Sequence, residues 1–412
     1  MAGNQQWIEV KLEKVVYGGD AMGRLADGRA IFVPFGLPGE VVRVEIVEEK
    51  RGHARGLIRE WESVSPQRIK ARCKHYGECG GCHYQHLAYD QQRAVKREVV
   101  YEQLERIAGI KKPLVNEVIS GDRHWNYRNS LQFHLSPSGK LGFLAAGTHQ
   151  VVEISECHLP EAMIDQVWKQ LEFDPESGIE RIEISQGSDE EVMISLHSSS
   201  LEMPEMEMDL PVSAVHLSPA GKVVLAGDDY LLLEVLGKFF KVSAGSFFQV
   251  NIGVAEKLVE HVLDLLPEKT DLSVLDLYCG VGLFSKFIAP RAALVTGIEL
   301  AESACEDFAD NLQEFENVSL YVGAAEAVLP SLNQKFDVVI ADPPRAGLQR
   351  EALDALAKLS PEKLIYVSCD PSTLARDIKR LIEKGYQLQQ ATPFDMFPQT
   401  YHVETVALLT RK

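Results

Sequence analysis

Several absences narrow this chain before any motif is read. No apolar run approaches about 18 residues, so no membrane-spanning helix is expected. The first residues, M-A-G-N-Q-Q-W, lack the charged-then-apolar pattern of a secretory leader. Cysteines number seven, odd and unevenly spaced, which argues against a disulfide framework and for a reducing, cytoplasmic setting. No internal repeat is evident, so a stacked-repeat architecture is not expected. Positive charge is also scarce: 42 Lys and Arg face 60 Asp and Glu, a net −18. That balance argues against a nucleic-acid partner until its distribution is read. Residues 172–209 hold twelve acidic residues and one basic, whereas residues 61–115 hold ten basic and six acidic. Local potential governs phosphate binding more than whole-chain charge does.

What is present describes a soluble multidomain chain. The 412 residues are 45% hydrophobic and 25% charged, enough for two to four cored domains. Residues 7–60 alternate short apolar strands with Gly-rich turns: W-I-E-V-K-L-E-K-V-V, R-A-I-F-V-P-F, V-V-R-V-E-I-V and A-R-G-L-I-R-E. Four strands this short, with no helical pattern between them, predict a small closed β-barrel. A helix is predicted over 90–108, apolar on one face and stopped by Gly109. Residues 124–250 read mostly as strands and turns, with E-M-P-E-M-E-M-D as an exposed loop. From about 255 onward helices and strands alternate as in a doubly wound sheet, whose ligands sit beyond the carboxyl ends of the strands. Its strands read S-V-L-D-L-Y, A-L-V-T-G-I-E, V-S-L-Y-V, F-D-V-V-I-A-D, K-L-I-Y-V-S, Y-Q-L-Q-Q-A-T and T-V-A-L-L-T.

The first strand of that sheet runs into D-L-Y-C-G-V-G-L-F, with Gly280 and Gly282 in a tight turn, and Glu299 ends the second. Such glycines let backbone approach a ligand, and such a carboxylate can bond both ribose hydroxyls. A nicotinamide dinucleotide wants a third glycine where Ser285 stands, and an open helix N-terminus where Leu283 and Phe284 crowd in. S-adenosylmethionine needs no phosphate cradle and fits better. Asp342, in A-D-P-P-R-A-G, is held at the sheet edge by two stiffening prolines.

Cysteines form two groups of interest. Cys369 follows the apolar run 363–367, and Glu404 begins another apolar run 35 positions later. A thiol and an acid at the mouth of an α/β sheet suit covalent catalysis followed by proton removal. Cys73-x5-Cys79-x2-Cys82 needs a fourth ligand, for which Cys157 is the candidate outside the sheet domain. Such a set can hold zinc or an iron–sulfur cluster. Cys279 and Cys305 read as packing.

Together these motifs resemble the RNA 5-methyluridine methyltransferases, and within them the 23S rRNA uracil-5-methyltransferases that carry a TRAM domain and a [4Fe-4S] cluster. The likeness rests on the TRAM-like start Y-G-G-D-A-M-G-R-L, the spaced cysteines, F-F-Q-V-N, D-L-Y-C-G-V-G, D-P-P-R, S-C-D-P-S-T-L-A-R-D and H-V-E-T. It implies a multidomain α/β chain. Residues 1–62 are an OB-like RNA-binding barrel, 63–250 a central mostly-β domain with the cluster, and 251–412 a Rossmann-like class I methyltransferase. It implies Cys369 as nucleophile and Glu404 as base, with S-adenosylmethionine held by Gln249, Tyr278, Glu299 and Asp342. It implies Cys73, Cys79, Cys82 and Cys157 as ligands of a [4Fe-4S] cluster. The implied partner is RNA, 23S rRNA ahead of the tRNA T-loop, with no membrane and no obligate protein partner. Many relatives carry a polar Asn where this chain has Leu283, and some near Ala324, so those cofactor contacts are absent or made by backbone. Phe247 and Phe248 are candidates for stacking on a base or for core packing. The rivals are a non-enzymatic RNA assembly factor, which has no use for a sulfonium cofactor, and a dinucleotide oxidoreductase.

Overall fold

A computed structural model describes residues 7–200 and 211–411 of the chain. Its first five strands are β1 (Ile8–Val15), β2 (Ala21–Arg24), β3 (Ala30–Val33), β4 (Val41–Glu49) and β5 (His53–Ser63). Their apolar residues alternate, and one set, including Leu12, Ile31, Val33, Val42 and Val44, points inward and is buried. Burying that face on itself closes the strands in the order β1-β2-β3-β5-β4, which leaves no open edge. The sequence pattern shows four of these strands. β2 escapes it because it is four residues long and its alternation is interrupted by Gly23.

Helix α1 (Tyr89–Arg106) comes next. A seven-stranded sheet then forms from β6 (Ser130–Leu135), β7 (Leu141–Leu144), β8 (Val151–Glu153), β9 (Ile179–Gln186), β10 (Val192–Ser198), β11 (Ser213–Ser218) and β12 (Gly221–Ala226), in the order β12-β11-β10-β9-β6-β7-β8. Helix α2 (Ala162–Trp168), absent from the sequence reading, covers this sheet with Ile164, Val167 and Trp168. The acidic segment E-M-P-E-M-E-M-D lies outside the described residues.

A hairpin of β13 (Tyr230–Val235) and β14 (Lys238–Ser243) leads into helix α3 (Ile252–Asp264) and the last sheet. Its strands are β15 (Ser273–Leu277), β16 (Leu294–Glu299), β17 (Val318–Val322), β18 (Val338–Ala341), β19 (Lys363–Ser368), β20 (Tyr386–Phe394) and β21 (Glu404–Arg411). They order as β17-β16-β15-β18-β19-β21-β20, parallel except for β21, which runs antiparallel between β19 and β20. Helices α4 (Leu283–Ile288), α5 (Glu302–Leu312), α6 (Ala325–Val328), α7 (Arg350–Leu359) and α8 (Pro371–Glu383) connect them. With both faces covered, the inner strands read as unbroken apolar runs. The carboxyl ends of β15, β16, β18 and β19 and the start of β21 therefore meet at one edge. No helix among the described residues is long and apolar enough to cross a membrane.

The helix predicted over 90–108 differs from expectation in its buried face. Val99, Val100 and Leu104 are joined there by Gln92, Lys96 and Gln103. Burying polar groups is costly unless each is bonded, and here each has a partner. Lys96 Nζ lies 2.5 Å from Asp395 Oδ1 and donates to the Phe397 carbonyl at 2.9 Å. Gln92 and Gln399 bond each other through side chain and backbone, at 3.0 and 3.1 Å. Gln103 accepts from Arg106. This face anchors the segment 395–402, just before Glu404. It also shows that the basic excess of 61–115 is not all free charge, because Arg68, Arg93, Lys96 and Arg97 are held in ion pairs.

Candidate active site

The sheet edge opens into a cavity of about 840 Å3 lined by Gln249, Tyr278, Glu299, Asp342, Cys369 and Glu404 among others. All six residues singled out for cofactor and chemistry therefore face one space. Tyr278 leaves β15 at φ 64°, a left-handed conformation that non-glycine residues rarely adopt and that often marks a functional turn. The two glycines behind it differ in job. A Cβ on Gly280 would meet nothing within 4 Å, so it leaves the cavity wall open, whereas one on Gly282 would strike Leu312 at 2.4 Å. Gly282 thus serves helix packing rather than ligand approach. Ser285 is likewise no failed glycine: its hydroxyl donates to buried Asp276 at 2.6 Å.

Glu299 is oriented by three backbone N–H groups, from Gly280 at 3.0 Å, Leu300 at 2.7 Å and Ala301 at 2.8 Å. Gln249 sits on a loop pinned by Asn129, whose side chain donates to the Gln249 carbonyl, and by Asn251, which donates to that of Met396. Phe247 and Phe248 part ways: Phe247 is 70% exposed at the cavity mouth, while Phe248 packs on Phe240.

Electrostatics single out the far wall. Burial lifts the Cys369 thiol to about 12, with Glu404 and Asp342 adding to the rise and the hydrogen-bonded guanidinium of Arg345 opposing it. Asp342 is raised to about 7 by burial and by the charge of Asp276. Glu404 is raised well above the carboxylate range by burial and then by Asp342, and its buried Oε1 has no partner among the described residues. Titratable groups shifted this way in a cleft mark functional sites. An unpartnered buried carboxylate oxygen is costly in isolation and fits a ligand group that completes it.

Two further residues belong here, inside quoted motifs but given no role by the sequence reading. Arg345, from D-P-P-R, reaches Cys369 and places Nη2 2.7 Å from His402 Nδ1. Burial, then Arg345, hold His402 down to about 3, so its ring is neutral and accepts. A cation three residues after Asp342 was the available signal for Arg345.

Cys73, Cys79, Cys82 and Cys157 are brought together from two distant segments. Burial raises all four thiols, and the mutual charges of the set add to the rise for Cys79, Cys82 and Cys157. Donors oppose this: backbone N–H of His75 and Tyr76 on Cys73, of Gly81 on Cys79 at 3.4 Å and of Leu159 on Cys157, and the Gln85 side chain on Cys82. Donors aimed at sulfur fit thiolate ligands. Among the described residues no group of three His, Cys, Asp or Glu side chains is arranged to hold a metal ion. Cys279 and Cys305 are buried, Cys279 packing on Phe308 and Leu312.

Residues 197–412 match the family model described as tRNA (Uracil-5-)-methyltransferase, and residues 4–58 match the TRAM domain. An uncharacterized RNA methyltransferase of Aquifex aeolicus is 34% identical over 98% of this chain and 99% of its own length. Another, of Halalkalibacterium halodurans, is 32% identical over 98% and 97%. The crystal structure of Pyrococcus abyssi tRNA (uracil-54, C5)-methyltransferase in complex with S-adenosyl-L-homocysteine has a similar fold. Its TM-score is 0.73 at 26% identity, over 98% of this chain and 100% of that one.

Proposed function

This chain belongs to the uracil-5-methyltransferase family of RNA-modifying enzymes and carries a TRAM domain, and on that premise we propose that it methylates carbon-5 of a uridine through a covalent Cys369 adduct. The observation that carries the proposal is the convergence of Cys369, Glu404, Asp342 and Arg345 on one cavity. Carbon-5 of uracil is too weak a nucleophile to be alkylated directly. The Cys369 thiolate adds to carbon-6, and the carbon-5–carbon-6 π pair moves into an enolate on the carbon-4 oxygen. Arg345 favours that thiolate, since it is the neighbour that lowers the Cys369 pKa. Gln249, Tyr278, Glu299 and Asp342 would hold S-adenosylmethionine, whose sulfonium would supply an electrophilic methyl group. The enolate pair would return to carbon-5 and bond that methyl, and the methyl–sulfur bond would break to leave a neutral thioether, S-adenosylhomocysteine. The ionised form of Glu404, a strong base because burial destabilises its carboxylate, then takes the proton on carbon-5 and becomes the neutral acid. That electron pair restores the ring double bond and expels Cys369 as thiolate. Asp342, raised to about 7, is able to bond the base edge in either protonation state. The uridine must leave its stack to enter, and exposed Phe247 offers it a face.

The barrel and the four-cysteine site support 23S rRNA as substrate, with Cys73, Cys79, Cys82 and Cys157 holding a [4Fe-4S] cluster. The second reading, a tRNA T-loop uridine, is favoured by the whole-chain similarity to the P. abyssi enzyme. Mass spectrometry of rRNA and tRNA from a deletion strain decides between them by which RNA loses a methyl group. A 5-fluorouridine-substituted transcript should crosslink to the wild-type protein on denaturing gels. Product formed without any crosslinked species would overturn the covalent mechanism.

A further inference from the structure

The first barrel turn reaches the catalytic edge of the last sheet. Val16 N–H bonds the Asp20 carbonyl at 3.0 Å and Gly19 N–H bonds that of Val16 at 3.1 Å, closing a tight turn between β1 and β2. Tyr17 stands at its tip, and its hydroxyl donates to Asp370 Oδ2 at 2.6 Å across 353 residues of chain. Asp370 is the residue after Cys369 and caps α8, its Oδ1 accepting from Ser372 and Thr373 N–H at 2.9 Å each. The Tyr17 ring meets Tyr401 edge-on, with centroids 5.8 Å apart, and Tyr401 in turn lies against His402. Gly19, at φ +91°, presses so near that a Cβ there would touch Tyr401 at 3.4 Å and His83 at 3.5 Å.

We propose that Tyr17 is a positioning residue for the methyl transfer: through Asp370 it fixes the turn that presents Cys369, so that the barrel helps to build the active site besides contacting RNA. This rests on the reading of Cys369 as nucleophile. Within its own segment the turn is held by Ser368 Oγ bonding Asp370 N–H and carbonyl at 3.2 and 3.1 Å, and from the same domain Arg345 reaches the Cys369 thiol. Tyr17 adds a restraint from a separate domain on the carboxylate beside the thiol. Small misplacement of a reacting atom slows attack steeply. Docking of the barrel does not need this bond, since Lys14 meets Glu102 at 2.5 Å and Arg68 meets buried Glu40 at 2.6 Å elsewhere.

Tyr17→Phe in the full chain removes one oxygen and keeps the ring. Adduct formation is timed with 5-fluorouridine-substituted 23S rRNA and tRNA transcripts, beside RNA and S-adenosylmethionine dissociation constants and kcat and KM with unsubstituted transcript. The expected result is a loss of about tenfold or more in adduct rate and kcat, with KM and both dissociation constants within twofold. Lys14→Ala, which removes a barrel contact away from this turn, should leave the adduct rate unchanged. A wild-type adduct rate in Tyr17→Phe, or a loss confined to RNA affinity, would overturn the inference while leaving the nucleophile in place. If the wild-type protein forms no adduct with either transcript, the nucleophile reading fails and this inference goes with it.

Discussion

Two cysteine neighbourhoods in this molecule share a residue type and a burial effect but differ in the groups that act most strongly on the sulfur. At Cys369 burial is compounded by two carboxylates, and the relief comes from one cation, the Arg345 guanidinium. At Cys79, Cys82 and Cys157 the added charge comes from the other thiols and at Cys73 from Glu156, and the relief comes first from backbone N–H groups and Gln85, with smaller help from Lys74 and Arg128. Relief by a single cation beside a base suits a sulfur that must attack and leave. Relief by backbone dipoles suits sulfurs that stay deprotonated on a bound group. The two neighbourhoods are also physically joined: His83 and Tyr84, directly after Cys82, both donate to the Gln399 carbonyl, and Gln399 lies five residues before Glu404.

The sharpest way to break this contrast is to remove one sulfur from each neighbourhood. Cys369→Ala should abolish methyl incorporation from labelled S-adenosylmethionine while leaving iron and acid-labile sulfide unchanged after anaerobic preparation. Near-wild-type turnover would end the covalent mechanism. Cys82→Ser should do the reverse in kind, losing iron and thermal stability first and activity only in part. A colourless wild-type protein without iron or sulfide would remove the cluster from the comparison. Glu404→Gln should accumulate a covalent RNA adduct on denaturing gels, with turnover down about 10²–10⁴-fold.

A milder test uses pH. Because the thiol is raised to about 12, its ionised fraction grows about tenfold per pH unit below that value. Adduct formation should therefore rise from pH 6 to 9, and Arg345→Met, which deletes the lowering influence, should slow it several-fold and move the profile to higher pH. A flat stopped-flow profile would mean that thiolate supply does not limit the step. Smallest in effect on chemistry is the anchor between the neighbourhoods. Lys96→Met leaves Asp395 buried without its cation and should cost about 3–5 kcal/mol in denaturant unfolding. Tyr89, which donates to Asp395 at 2.8 Å, retains part of the site. A stability change under about 1 kcal/mol would show that water replaces the ammonium.

Much of the last sheet was legible because its inner strands are buried on both faces and so appear as apolar runs, and even the weakly patterned Y-Q-L-Q-Q-A-T makes up most of β20. The site residues were legible because they sit at strand ends inside short motifs. Other features were hidden for identifiable reasons. Strand β2 is too short to show alternation, and α2 is a seven-residue helix inside a strand-rich stretch. Helix α1 buries Gln92 and Lys96, which periodicity reads as solvent-facing, because their partners Asp395, Phe397 and Gln399 lie some three hundred residues away. Ser285 looked like a missing glycine until its bond to Asp276 was visible.

By itself the amino-acid order determined the chemical inventory: which thiols and carboxylates exist, which strand ends carry them, and the family to which their spacing belongs. Those are local properties, set by side-chain type and by the period of the backbone. Only the tertiary structure decided which sulfur has a guanidinium beside it, which carboxylate is stripped of water, and that a tyrosine from the first barrel turn touches the capping residue next to the nucleophile. Reactivity depends on burial and on charges a few ångströms away, and those neighbours come from segments that meet only when the chain folds.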